Sequence, residues 1–203
     1  GARMEDLLKN TLIALIQNNL TLAELPLFLT DSEARRKILE KVEHGVSRQY
    51  FQHFNSLPRR TQDEWMESTL NKVNAFLFDD SIRQLLASPK SSFNLREIMD
   101  EGKILLVKLD KGRLKGSADL LGSLLLAKIQ AAAFSRTDTP ELQRRKFYLY
   151  IDEFQNFATE NFITMLGEAR KYRLALLLAH QNLAQLPTTL RASILSNCGL
   201  QAY

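Results

Sequence analysis

The spacing of apolar residues changes at a polar break over residues 88–93, which read SPKSSF. Before the break, apolar residues recur at intervals of three and four, the spacing of amphipathic helices. One such helix carries Leu7, Leu8, Leu12, Ile13 and Ile16, a second Ile38, Leu39 and Val42, and a third Trp65, Leu70, Val73, Phe76 and Leu77. Capping sequences TDSE (residues 30–33) and TQDE (61–64) predict helix starts. The pattern predicts an all-α domain over residues 1–90.

After the break, the apolar residues form short, nearly continuous runs. The runs are Ile104–Leu109 (ILLVKL), Phe147–Ile151 (FYLYI) and Leu174–Ala179 (LALLLA). Such runs are typical of strands that are buried on both faces of a parallel sheet. The predicted helices are Leu120–Phe134, Asn161–Tyr172 and Thr189–Ser196, and a last strand is predicted over Leu200–Tyr203. Strands alternating with helices favour a doubly wound α/β domain over residues 91–203.

Composition sets the broad class of the protein. A chain of 203 residues with 45% apolar content can bury the core of one or two domains. The single cysteine, Cys198, excludes an internal disulfide framework. We find no signal peptide, and no apolar run approaches the roughly 18 residues that a membrane span needs. We therefore expect a cytoplasmic protein.

The net charge of +4 is unevenly distributed. Residues 1–100 contain 13 basic and 14 acidic side chains, whereas residues 101–203 contain 14 basic and 9 acidic ones. The basic clusters lie at residues 108–115, 144–146 and 170–173. Solvated loops and helix ends commonly carry such clusters, so the charge permits a nucleic-acid partner without showing one.

Polar residues follow each predicted strand: Asp110, then Asp152 and Glu153, then His180 and Gln181. In doubly wound sheets, ligands bind beyond the carboxyl ends of the strands. Cleavage of a phosphoanhydride needs one carboxylate to hold hydrated Mg²⁺, another to orient or deprotonate the attacking water, and a polar group that registers the terminal phosphate. Asp152, Glu153 and Gln181 can fill these roles in that order.

Ordinary structural explanations exist for the same residues. An acid pair after a strand can cap the next helix, Gln181 can begin a loop, and the KGR that follows Asp110 suits a turn. His180 has no sequence context of a metal site, and Cys198 has no nucleophile motif around it.

The phosphate-binding half of a P-loop NTPase is missing from this sequence. No G-x-x-x-x-G-K-[ST] occurs, and the pair Gly102-Lys103 runs directly into a predicted strand. Without the amide cradle and its lysine, we expect this chain alone to bind nucleotide poorly and to hydrolyse little or none. We interpret it as a fragment of a nucleotide-driven machine.

The segments FYLYIDEFQNF, LGEARKYRLALLLAHQ and LRASILSNCG resemble the HerA/FtsK-like motor ATPases, most closely the type IV secretion coupling proteins of the conjugative TraG/TraD group. EIMDEGKILLVKLDKGRLKGSADLLGSLLLAKIQAAAFSR resembles the part of that group that precedes the Walker B strand. The helical half also fits, because coupling proteins insert an all-α domain between P-loop and Walker B. The resemblance implies a partial RecA-like P-loop NTPase core, without Walker A, preceded by an all-α domain.

The resemblance also implies roles for individual residues. Asp152 and Glu153 match the Walker B pair, with Asp152 holding Mg²⁺ through water. Gln181 matches a glutamine that senses the nucleotide state, and Arg170 matches an arginine finger that reaches the neighbouring subunit's site; Arg173 fits less well. Without the resemblance, Arg170 is a cation near a helix C-terminus that complements the dipole.

The whole protein is then expected to be a hexameric translocase, driven by ATP and Mg²⁺, that moves DNA or a protein–DNA conjugate. Expected partners are DNA, other copies of the protein, and secretion or relaxosome proteins. A membrane anchor, where the family has one, lies outside this segment, which places the protein in the cytoplasm or at the inner face of the cell membrane.

Two other functions stay open at the level of sequence. In the first, the chain is a non-enzymatic binding module whose residues 1–90 recruit a nucleic acid or a secretion partner, with the α/β part as scaffold. In the second, Asp110, Asp152 and Glu153 form a metal-dependent nuclease. Neither the cargo nor the choice between conjugation and DNA repair or packaging follows from the sequence.

Overall fold

The computed structural model describes residues 2–114, 116–157, 159–182 and 186–200. The chain divides into two compact units, Gly1–Ser91 and Ser92–Tyr203. In its described residues the first unit is helical, and the second combines helices with a two-stranded parallel sheet. A helical part followed by an α/β part is therefore present. Two strands by themselves do not show a RecA-like core.

The helical unit packs its helices around a cluster of phenylalanines. Its helices are α1 (Ala2–Gln17), α2 (Leu25–Thr30), α3 (Ser32–Glu40), α4 (Gly45–Ser56), α5 (Arg59–Leu77) and α6 (Asp80–Leu86). The Phe28 and Phe51 rings meet edge to face at 4.9 Å, and both side chains are fully buried with Phe54. Edge-to-face pairs of this kind add to the stability that the buried area itself supplies.

One of the two predicted helix starts in this unit is confirmed. Asp31 Oδ1 accepts hydrogen bonds of 2.9 Å from the backbone amides of both Glu33 and Ala34, and so caps α3. The start predicted at the TQDE segment is wrong, because α5 already begins at Arg59, directly after Pro58. A proline fixes φ and has no amide to contribute, so it favours a helix start immediately after it.

The second unit contains two short parallel strands with helices before, between and after them. Its elements are α7 (Leu95–Glu101), α8 (Lys111–Leu114), α9 (Ser117–Phe134), β1 (Phe147–Ile151), α10 (Glu160–Glu168), β2 (Leu174–Leu178) and α11 (Thr188–Asn197). The strands pair in parallel, with Phe147 opposite Leu174 and Ile151 opposite Leu178. The two runs FYLYI and LALLL are therefore confirmed as strands, and α10 makes the connection between them.

The strand predicted at Ile104–Leu109 is wrong, because this run lies outside any strand of the described chain. Side chains alternate in exposure along it: Ile104 and Leu106 are 87% and 89% exposed, whereas Leu105 packs against the core. An apolar run becomes a strand only when another strand supplies hydrogen-bond partners for its backbone. The run predicted at Leu200–Tyr203 falls mostly outside the described residues, and Leu200 itself is not in a strand.

The prediction that the strands are buried on both faces is also wrong. Tyr148 and Tyr150 are 53% and 71% exposed, while Phe147, Leu149 and Ile151 pack into the core. The exposure therefore alternates along β1, as it does when helices cover one face of a sheet.

The long helix α9 bears on the prediction that no segment of this chain spans a membrane, which length and composition alone do not overturn. The 22-residue segment Ser117–Asp138 has the length and the mean hydropathy, 1.2, of a helix that could cross a membrane. Core helices of soluble proteins share these properties, because they are apolar on most sides. One stripe of α9 lies in the core, at Ala118, Gly122, Leu126, Ile129 and Ala133.

A fully buried arginine ties the amino ends of both strands together. Arg136 donates hydrogen bonds to the backbone carbonyls of Tyr172, at 3.0 Å, and Arg145, at 2.7 Å. Its Nε also lies 2.9 Å from Asp100 Oδ1. Tyr172 precedes β2 and Arg145 precedes β1, so one guanidinium holds both strand entrances. A buried charge is tolerated when its donors are paired in this way.

A close contact between α9 and the turn after β1 requires glycine. A Cβ added to Gly122 would lie 2.3 Å from the Phe157 ring. Beside it, the Ser123 hydroxyl donates a hydrogen bond of 3.1 Å to the Phe157 carbonyl. The segment that leaves β1 is therefore held directly against α9.

We expect Gly122→Ala to lower the free energy of unfolding by about 1–3 kcal/mol, because the new methyl group must displace the Phe157 ring. Gly167→Ala is the matched control: Gly167 also lies in a helix, and nothing lies within 4 Å of an added Cβ. The control should be neutral or stabilising by up to about 1 kcal/mol. Thermal unfolding followed by circular dichroism measures both, and an unchanged Gly122→Ala variant would contradict the packing.

Arg136→Met should destabilise the protein by about 2–4 kcal/mol, because it removes the hydrogen bonds to two backbone carbonyls and leaves Asp100 without its buried partner. The same change at Arg191, an exposed residue of α11, is the control and should have little effect. Urea denaturation gives the difference. Equal stabilities of the two variants would show that Arg136 does not hold the strands.

Candidate functional site

The site lies where both strands end. Because β1 and β2 are parallel, the residues that follow Ile151 and Leu178 leave the sheet at the same edge. Pairing continues past the strands: the Ala179 amide donates to the Ile151 carbonyl at 2.9 Å, and the Phe154 amide donates to the Ala179 carbonyl at 3.1 Å. The polar residues on the two exits are therefore held side by side.

Glu153 and Gln181 meet across this edge. Gln181 Nε2 donates a hydrogen bond of 2.6 Å to Glu153 Oε1. The two residues are 28 positions apart in sequence, and only the parallel pairing of the strands brings them together. Their predicted proximity is confirmed, whereas the catalytic roles given to them stay predictions.

A second amide holds the other oxygen of the same carboxylate. Gln155 Nε2 donates a hydrogen bond of 2.7 Å to Glu153 Oε2. Gln155 is not among the site residues predicted from the sequence, although it stands only two residues after Glu153. The signal that could have found it is the DEFQ spacing, which brings two polar side chains to one side of a tight turn.

The backbone at Glu153 is left-handed, with φ 50° and ψ 40°. A residue with a side chain adopts this region at a cost of about 1 kcal/mol, and such residues cluster at functional sites. A 3₁₀ turn, Phe154–Asn156, follows at once, and the Asn156 side chain donates a hydrogen bond of 3.0 Å to the Glu153 carbonyl. The turn directs the Glu153 side chain back towards the end of β2.

Asp152 is the exposed member of the acid pair. Its Oδ1 accepts a hydrogen bond of 3.0 Å from the Glu153 amide, which fixes the carboxylate at the strand end. Among the described residues, no group of three or more His, Cys, Asp or Glu gathers around a common point. Mg²⁺ keeps several waters and commonly uses one or two carboxylates together with substrate phosphates, so a single exposed aspartate fits a water-mediated ligand.

Arg170 lies at the opposite edge of the sheet. It is an exposed residue of the 3₁₀ turn Ala169–Tyr172, which precedes β2. The length of a five-residue strand, about 16 Å, therefore separates it from Glu153. The structure does not bring Arg170 together with the other predicted site residues of its own chain.

The Arg173 side chain contacts its own chain. Arg173 is predicted to fit the arginine-finger role less well than Arg170. Its Nε donates a hydrogen bond of 3.2 Å to the Glu141 carbonyl. For the Arg170 guanidinium, the described part of the chain offers no such partner, so this side chain is available to another molecule.

Asp110 and His180 have local structural roles. Asp110 Oδ1 accepts hydrogen bonds from the amides of Gly112, at 2.9 Å, and Arg113, at 3.3 Å, and so caps the short helix α8. The His180 ring packs edge to face against Phe154, with ring centroids 5.3 Å apart. A short helix follows Asp110 in place of the expected turn, and the capping role of Asp110 weakens the case for a nuclease that uses this residue.

Part of the chain matches a known protein family. Residues 146–203 match the family model described as the TraM recognition site of TraD and TraG. The matched residues make up under a third of the chain. The matched region contains both strands and the Glu153, Gln155 and Gln181 cluster. No curated protein and no solved structure matches the chain. The match supports the conjugative coupling protein family for this chain.

Proposed function

We propose that this chain is part of an ATP-driven translocase of the conjugative coupling type, which moves DNA or a protein–DNA conjugate. The observation that carries the proposal is the contact of Glu153 with Gln181 at the shared edge of two parallel strands. Open parallel sheets bind phosphate ligands at this edge. The family match over the same residues supports the coupling-protein assignment.

The acid pair divides the chemistry between two carboxylates. Mg²⁺, when bound with ATP, neutralises charge on the phosphate oxygens. Asp152, exposed and fixed by the Glu153 amide, would hold the ion through a water. Glu153 orients the attacking water with a carboxylate whose position is already set. Gln181 is exposed, so its amide could exchange the Glu153 carboxylate for a terminal phosphate.

The position of Arg170 supports hydrolysis between subunits. A cation at one edge of the sheet and the acids at the other cannot complete one site within a single copy. A head-to-tail contact between copies joins opposite edges, and such contacts close into rings. The proposed assembly is a hexamer in which Arg170 of one copy stabilises charge at the next copy's site.

A second function concerns partner recognition. The family model over residues 146–203 is described by its recognition of TraM. We therefore also propose that this region binds a relaxosome or secretion protein, and that it, rather than residues 1–90, is the recruiting surface. On this proposal, the protein that contains this chain acts in the cytoplasm or at the inner face of the cell membrane.

Glu153→Gln in a protein that joins this chain to a P-loop half should lower the rate of ATP hydrolysis by about 10²–10⁴-fold, because the carboxylate that activates water is lost. Binding of ATP should persist, since Asp152 is intact. A phosphate-release assay and a nucleotide-binding assay measure the two effects.

Glu141→Gln, an exposed carboxylate at the opposite end of the unit, is the matched control and should leave hydrolysis unchanged. Unchanged hydrolysis in the Glu153→Gln variant would favour the binding module. Cleavage of DNA with Mg²⁺ and without nucleotide would favour the nuclease.

Mixing subunits tests the shared site. Arg170→Ala and Glu153→Gln should each remove most ATP hydrolysis alone, and their mixture should recover part of it. Recovery is expected because some junctions then pair an intact Glu153 with an intact Arg170. Lys171→Ala, which removes the neighbouring cation, is the control and should leave ATP hydrolysis unchanged without any mixing. A mixture as inactive as its components would contradict a finger that acts between subunits.

A further inference from the structure

The carboxylate of Glu153 is held at both oxygens by neutral amides. Gln155 binds Oε2 at 2.7 Å from the turn after β1, and Gln181 binds Oε1 at 2.6 Å from the exit of β2. Two contacts on opposite oxygens stop the carboxylate from rotating, which one contact cannot do. Because amides carry no charge, they orient the carboxylate without neutralising its charge. A lysine or an arginine in their place would neutralise it.

The two amides differ in exposure. Gln181 is exposed, whereas Gln155 is half-buried in a turn anchored by Phe154, whose side chain is fully buried. Gln181 can therefore exchange partners at the mouth of the site. Gln155 belongs to the short turn that directly follows Glu153, so its contact with Glu153 does not depend on β2.

The contact at Gln155 has a cost in stability. A carboxylate only accepts hydrogen bonds, so the Gln155 side chain must turn its NH₂ group towards Glu153. Its carbonyl oxygen, Oε1, is then buried, and the described part of the structure gives it no hydrogen-bond partner. A buried acceptor without a donor costs about 1–3 kcal/mol. A side chain that served stability alone would be apolar at this position.

We propose that Gln155 is a positioning residue that fixes the Glu153 carboxylate through Oε2, so that the carboxylate stays oriented when Gln181 leaves it. The contact itself is independent of any reaction, and its use in hydrolysis rests on the function proposed above. Nothing in the family description assigns a role to this residue.

The contact can be tested in the 203-residue chain by NMR of the glutamine side-chain amides. Glu153→Ala should move the NH₂ resonances of both Gln155 and Gln181. Glu168→Ala, at the end of α10, should move neither. Unchanged Gln155 NH₂ chemical shifts in the Glu153→Ala variant would overturn the proposal.

The role in hydrolysis can be tested with Gln155→Met in the protein that includes a P-loop half. Methionine keeps the size of the side chain and removes both the donor and the unpaired oxygen. We expect kcat to fall roughly 10- to 100-fold with KM for ATP unchanged, while the melting temperature stays equal or rises. Gln143→Met, at an exposed glutamine, should change none of these quantities.

A kcat within twofold of wild type, or a loss of kcat matched by a fall in melting temperature, would overturn the positioning role. Gln155→Glu should cost at least as much kcat, because it sets a like charge against Glu153. If the wild-type protein does not hydrolyse ATP, the proposed function is wrong, and the amide resonances still decide whether Gln155 holds the carboxylate.

Discussion

The parallel pairing of β1 with β2 is the constraint on which the rest of the second unit depends. Parallel strands send both of their carboxyl ends to one edge, so Glu153 and Gln181 meet although 28 positions separate them. The same pairing sends both amino ends to the other edge, where Arg136 holds the two strand entrances. An antiparallel pair would have placed the glutamate and the glutamine at opposite ends of the sheet.

The two edges of the sheet differ in how well their polar groups are paired. At the amino edge, a fully buried guanidinium donates hydrogen bonds to two backbone carbonyls and forms an ion pair with Asp100, so it links both strand entrances. At the carboxyl edge, Glu153 adopts a left-handed backbone and Gln155 keeps a buried oxygen without a partner. Strain and unsatisfied polar groups persist only where the surroundings hold them in place. The well-packed edge and the Gly122 contact supply that support.

The separation of charge along the sheet favours the head-to-tail contacts of the proposed assembly. Acids lie at one edge, and at the other lies Arg170, whose guanidinium has no hydrogen-bond partner among the described residues. The two are complementary when copies meet head to tail. On the proposed function, each copy would supply the water-activating carboxylate to its own site and the arginine to its neighbour's. The uncovered tyrosines of β1 and the apolar run at Ile104–Leu109 lie outside this division, and no contact in the described chain explains their exposure.

The sequence by itself determined the helical first unit, the two strands FYLYI and LALLL, and the polar residues that follow them, because apolar spacing and length specify such elements locally. The run at Ile104–Leu109 is also mostly apolar and is not a strand, since a strand exists only through a partner that the run itself cannot supply. The contact of Gln155 could not be predicted for a similar reason, because it depends on a turn that brings Gln155 back to Glu153. Local pattern decides which residues form helices and strands, whereas pairing and turn geometry, which are set by the tertiary structure, decide which side chains meet.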